Sequence, residues 1–174
     1  MVVEALARTR DAFVAAADEL NEAQYRFTPA PEVWSIGQIV EHVALVELRM
    51  LDVIGKLPEA QAPSATKVRG EARFGRLDAT VPTRAQRRIV APETLVPKGT
   101  WASPALSLAA FVEARSRTIA AALAVTPEAL EHVLPHRFFG EFDLEEWAYF
   151  TALHSARHTA QVLEIKDAAA FPPA

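Results

Sequence analysis

Two histidines stand four residues apart in His154-Ser155-Ala156-Arg157-His158. Residues at that spacing on a helix project from one face, one turn apart. Both imidazoles could therefore reach a single metal ion. A third histidine, His42, lies on another helical stretch far upstream. Imidazole nitrogen suits zinc, nickel, copper and iron. Three protein nitrogens with an open fourth position form the pattern of catalytic zinc, where bound water has a pKa of about 7. The segment is not the HExxH protease motif, because Ser155 occupies the place of its general-base glutamate. Inward histidines in helical proteins also occur as hydrogen-bonded core residues, and spacing leaves both readings open.

Four long helices are expected to position these residues. The first spans 2–25, with Val3, Leu6, Phe13, Ala17 and Leu20 forming an apolar stripe before Pro29. Ser35 opens the second, with Gln38 as its capping-box partner and Trp34 and Ile39 at the staple positions. This helix runs to about Gly55, and His42 sits at the edge of its apolar stripe, in line with Ile39 and Val46. Ser103-Pro104 starts the third, which runs to about Ala124. Thr126-Pro127-Glu128 predicts a short helix to about Leu134, and Pro135–Phe142 a loop. Asp143 with Glu146 caps the last helix, from about Leu144 to Ala169. Trp147, Thr151, His154, His158, Val162 and Ile165 share its inward face. The fold class is all-α, a four-helix bundle in one domain over 1–174, with a long irregular connection between the second and third long helices.

That connection, 56–102, holds five prolines and nine of the 18 lysines and arginines, but only four acids. It carries about +5 against −9 for the rest, and so long a connection is often a lid or a flexible segment. Short helical pieces are expected near Glu71–Asp78 and Arg84–Val90. Arg69, Arg73, Arg76, Arg84, Arg87 and Arg88 could face an anionic cofactor or substrate. The favoured reading is a solvated connection.

Composition narrows the function. The chain has 174 residues and no cysteine, which removes disulfides, thiolate metal sites and cysteine nucleophiles. A net charge of −4 argues against nucleic-acid or membrane-surface binding. Charges at Glu4, Arg8, Arg10 and Asp11 break any secretory signal. Glu113, Arg115 and Arg117 do the same for a membrane span around 102–125. Absence of cysteine fits a cytoplasmic location.

Trp34-Ser35-Ile36-Gly37-Gln38-Ile39-Val40-Glu41-His42 resembles the second-helix signature of the DinB-like (YfiT-like) metalloenzyme family. His154-Ser155-Ala156-Arg157-His158-Thr159-Ala160-Gln161 resembles that family's last-helix signature. The resemblance covers nearly the whole chain. It implies an up-down-down-up four-helix bundle, a divalent metal (nickel or zinc) held by His42, His154 and His158, and a homodimer. Characterised relatives include bacillithiol transferases and a mycothiol-dependent maleylpyruvate isomerase, so a low-molecular-weight thiol is an expected cosubstrate.

The expected function is metal-dependent activation of a thiol or water for S-transfer or hydrolysis of a small molecule. The alternative is a non-catalytic metal-binding or ligand-sensing bundle acting through protein partners. Glu41 reads as an exposed helix charge, or as a carboxylate orienting a ligating histidine. Gln161 could face a metal-bound water, Trp147 could line the pocket, and Arg157 could pair with Glu146 or Glu164. His132 and His136 read as surface or loop residues, with His136 near a pocket mouth. No residue is placed as a catalytic base.

Overall fold

The computed structural model describes residues 1–83 and 90–174. The predicted piece at Arg84–Val90, and Arg84, Arg87 and Arg88 with it, lie almost wholly outside the described residues. The chain forms, in order, α1 (Val2–Ala17), α2 (Glu22–Arg26), α3 (Ile36–Lys56), α4 (Ala72–Thr80), α5 (Pro104–Leu123), β1 (Leu134–His136), β2 (Gly140–Phe142) and α6 (Leu144–Lys166). Single 3-10 turns lie at Leu57–Glu59, Glu93–Leu95 and Glu128–Glu131.

The long helices start where their caps dictate. Ser35 accepts from the Gln38 amide at 3.3 Å while Gln38 accepts from the Ser35 amide at 2.9 Å. Asp143 and Glu146 reciprocate at 3.0 and 3.1 Å. Ser103 caps α5, with Pro104 in its first turn. Each arrangement satisfies amides that the first turn of a helix leaves unpaired.

Three expectations about secondary structure are corrected. The first helix stops at Ala17 because the chain turns through Glu19 at φ 57°, and Asn21 opens α2 with its own capping box to Gln24. The short helix after Thr126 is only a 3-10 turn. The segment read as a loop contains an antiparallel hairpin pairing Leu134 with Phe142 and His136 with Gly140. Gly140 closes its turn at φ +79°, a conformation that costs glycine little.

The bundle is α1, α3, α5 and α6. Helix α1 packs on α6 and α5, and α3 packs on α5 and α6. The first two long helices are thus diagonal rather than adjacent. The core has two apolar halves. One gathers Phe13, Ile36, Ile39, Val43, Phe111 and Val162, with Phe13 edge-on to Phe111 at 5.1 Å. The other gathers Leu6, Phe74, Leu77, Phe142, Ala148 and Ala152.

Between them lies a buried polar knot. Arg115, with 0% exposure, donates to both carboxylate oxygens of Glu47 at 2.9 and 2.8 Å. It also donates to the Leu6 carbonyl, Thr9 Oγ1, the Thr151 carbonyl and Ser155 Oγ. One guanidinium thereby touches all four bundle helices. Bidentate pairing of this kind is how a buried arginine is satisfied.

Much of the described part of the basic connection is exposed, as expected, but three of its cations are held against the start of α6. Lys67, with a 4% exposed side chain, pairs with Glu146 and lies 3.7 Å from Asp143. Arg73 pairs with Glu145 and Asp143, and Arg76 with Glu146 at 2.9 Å. Asp143 at the cap and Glu145 and Glu146 in the first turn of α6 complement the positive end of the helix dipole and also neutralise these cations. Arg69 forms an exposed pair with Glu131. Among the described residues no helix is long and apolar enough to cross a membrane.

Candidate metal centre

Helices α3 and α6 bring His42, His154 and His158 together. One ligand nitrogen from each lies within 4.8 Å of the other two. Ring centroids are separated by 4.5 Å for His154–His158, 4.9 Å for His42–His158 and 5.2 Å for His42–His154. His42 and His158 are buried, and His154 is partly buried.

Hydrogen bonds assign the tautomers of two rings. His42 Nδ1 lies 2.7 Å from the Leu95 carbonyl, which can only accept, so Nδ1 carries the proton. His158 Nδ1 likewise donates to Gln161 Oε1 at 2.9 Å. In each neutral ring Nε2 then presents a lone pair. Gln161 thus holds a histidine in place, beyond the expectation that it could face a bound water. His154 Nδ1 is sealed from solvent and has no partner among the described residues.

The set fits a divalent ion. The Nε2 atoms of His154 and His158 are 3.2 Å apart. Two nitrogens about 2.0–2.1 Å from a tetrahedral zinc stand about 3.3 Å apart. Burial lowers the pKa of His42, against the raising effect of its bond to Leu95. Burial, then the neighbouring His158 and His42 rings, then Arg157 and Arg115, push His154 well below its usual range. Neutral imidazole is the form that ligates. Aromatic rings flank the group, with Trp34 4.8 Å from His42 and Phe150 6.0 Å from His154.

Other candidates fall elsewhere. Glu41 is buried rather than exposed and does not orient a histidine directly. Its carboxylate accepts the backbone amides of Lys98, Gly99 and Thr100 at 3.0, 3.1 and 2.8 Å. Burial pushes its pKa up, but these amides outweigh that and hold it below the usual carboxylate value. Arg157 donates to the Thr83 carbonyl. Trp147 packs in an aromatic group with Phe142 and Phe150. His136 belongs to the same group, stacked on Phe142 at 4.8 Å and 4.6 Å from Phe150. Burial, and secondarily Arg76, lower its pKa to about 4. It is a packed strand residue, not a surface one. His132 Nδ1 bonds the Ala60 carbonyl at 3.0 Å.

Sequence reasoning missed Arg115 and Glu47. Their signal was a charge at a core position on each of two apolar helices, at 68 residues' separation.

A four-helix bundle with histidines converging from its second and last long helices defines the class of protein. The chain belongs to the DinB superfamily, whose pattern matches residues 5–162. It is 26% identical over 148 residues to the uncharacterized protein YuaE of Bacillus subtilis (strain 168), covering 85% of this chain and 86% of that one. Its fold is similar to that of YfiT from Bacillus subtilis, described as a probable metal-dependent hydrolase with an unusual four-helix bundle topology. That likeness has a TM-score of 0.64 at 16% identity and covers 95% of this chain and 83% of YfiT.

Proposed function

We propose that this protein binds one divalent metal ion, nickel or zinc, through His42, His154 and His158, and acts as a metal-dependent enzyme of the hydrolase or thiol S-transferase type. The observation that carries this is the convergence of three imidazole nitrogens within 4.8 Å from two facing helices. A bound ion would supply Lewis-acid chemistry, lowering the pKa of a thiol or water at a position the protein leaves open.

The chain's own groups supply the setting. Leu95 and Gln161 hold two rings with Nε2 turned to the shared point. Depressed pKa values keep His42 and His154 neutral, so protons compete less for the ligand nitrogens. Trp34 and Phe150 give the centre aromatic neighbours. The likeness to YfiT favours the hydrolase arm, and the family resemblance the thiol arm. In this reading the substrate is a small molecule, the protein works in the cytoplasm, and its assembly is a homodimer.

Metal analysis of protein purified without a histidine tag, after nickel or zinc supplementation, tests the reading. About one ion per chain is expected, and less than about 0.1 overturns it. Loaded protein should then turn over an activated ester or a thiol–electrophile pair, and His154→Ala should not. Tight binding with no turnover of either would favour the non-catalytic alternative.

A further inference from the structure

Glu41 and His42 are consecutive on α3, and both grip the same short backbone segment. His42 Nδ1 donates to the carbonyl of Leu95 at 2.7 Å, and Glu41 takes the amides of Lys98, Gly99 and Thr100. The two side chains leave the helix about 100° apart, so they clasp this strap from two directions.

The strap is built to hold its shape between these grips. The 3-10 turn Glu93–Leu95 fixes its start, with the Leu95 amide on the Pro92 carbonyl at 2.9 Å and the Val96 amide on the Glu93 carbonyl at 3.3 Å. Pro97 follows, with φ locked by its ring and no amide to satisfy. Gly99 adopts φ +78°, which turns three successive amides toward one carboxylate. An acidic side chain with three backbone donors, 7% exposed, has no role in the chemistry proposed above.

We propose that Glu41 is a positioning residue for His42 and acts through the strap Leu95–Thr100. This rests on the reading of the three histidines as a metal centre. Glu41 anchors the strap, the strap fixes the Leu95 carbonyl, and that carbonyl fixes the orientation and tautomer of the His42 ring. Without Glu41, three amides lose their acceptor and the strap loses its hold on α3. His42 then keeps its place on the helix but loses the partner that aims Nε2. Partners that orient ligating histidines typically contribute 10–100-fold to metal affinity.

The test is zinc affinity, measured by competition with a chromophoric chelator, on untagged wild-type, Glu41→Ala, Glu41→Gln and Arg69→Ala proteins. Thermal melting of each metal-free protein accompanies it. Glu41→Ala should raise the zinc Kd at least about 10-fold. Glu41→Gln keeps one oxygen for the Lys98 and Thr100 amides but sets its own amide against Gly99, so it should fall between. Arg69→Ala loses only an exposed pair with Glu131, outside the strap, so its affinity should match wild type. A merely structural Glu41 would lower the melting temperature while leaving zinc Kd within about twofold of wild type, and that result overturns the proposal. Should Glu41→Ala fail to fold, Glu41→Gln decides alone. If wild type itself binds no zinc or nickel, the metal centre falls first and the positioning role falls with it.

Discussion

Arg115, from α5, reaches α6 at Thr151 and Ser155, next to His154 in the chain, and the surroundings of the two residues differ. Every nitrogen of Arg115 meets an acceptor, and its charge is matched by the two oxygens of Glu47. His154 faces two further imidazoles in a group that contains no carboxylate, and its Nδ1 meets nothing among the described residues. Even the start of α6 follows the first pattern, with Lys67, Arg73 and Arg76 set against Asp143, Glu145 and Glu146. Of the buried side-chain nitrogens without a hydrogen-bond partner among the described residues, those of Arg73, Arg76 and Trp147 are donors, and only that of His154 belongs to a group that could hold a metal ion. The knot is complete as it stands, whereas on the proposed reading the histidines gain from a ligand.

The largest expected effect tests the complete half. Arg115→Ala strands Glu47 in the core and should lower stability by about 3–5 kcal/mol in urea unfolding. Replacing both partners, Arg115→Met with Glu47→Leu, should recover most of that loss. If metal-free His154→Ala proved as costly as Arg115→Ala, the contrast would vanish and the histidines would be structural.

The next effect tests the incomplete half. Zinc or nickel at about 100 times its Kd should stabilise the protein by about 2.7 kcal/mol. For a chain of this length that is a melting rise of roughly 5–10 °C. His42→Ala and His154→Ala should each abolish it.

A smaller effect separates these histidines from His136, which is half-buried and outside the three-histidine group. Its pKa is about 4 in the fold against about 6.5 when unfolded. The unfolded chain therefore binds more protons between those values, and stability should fall as pH drops from 6.5 toward 4. The loss attributable to this ring is roughly 2 kcal/mol once its partial exposure is allowed for. His136→Phe should flatten that slope in acid-range melting curves. Smallest of all, Arg69→Ala breaks only the exposed pair with Glu131 and should leave the melting temperature unchanged.

The parts of this molecule legible in the sequence are those governed by local rules. Capping boxes at Ser35 and Asp143 placed the starts of α3 and α6, and helical spacing put the three histidines on inward faces. The break after Ala17 escaped because Glu19 and Asn21 sit inside an otherwise continuous apolar stripe. The hairpin escaped because its two three-residue strands, one with Pro135 at its centre, carry almost no alternation. The basic connection was misjudged for another reason. Three of its cations, Lys67, Arg73 and Arg76, are neutralised by acids about 70 residues away, at the start of α6. Glu41 and Arg115 show the same limit, since what satisfies each is far along the chain.

The knot around Arg115 also has a consequence in time. Its partners lie 36, 40, 68, 106 and 109 residues away, on three other helices. A contact set so distant in sequence completes only when all four helices have met. Interactions formed that late slow the escape from the native state and leave the rate of reaching it nearly unchanged. Arg115 therefore acts as a latch, and its contribution is to how long the closed bundle stays closed.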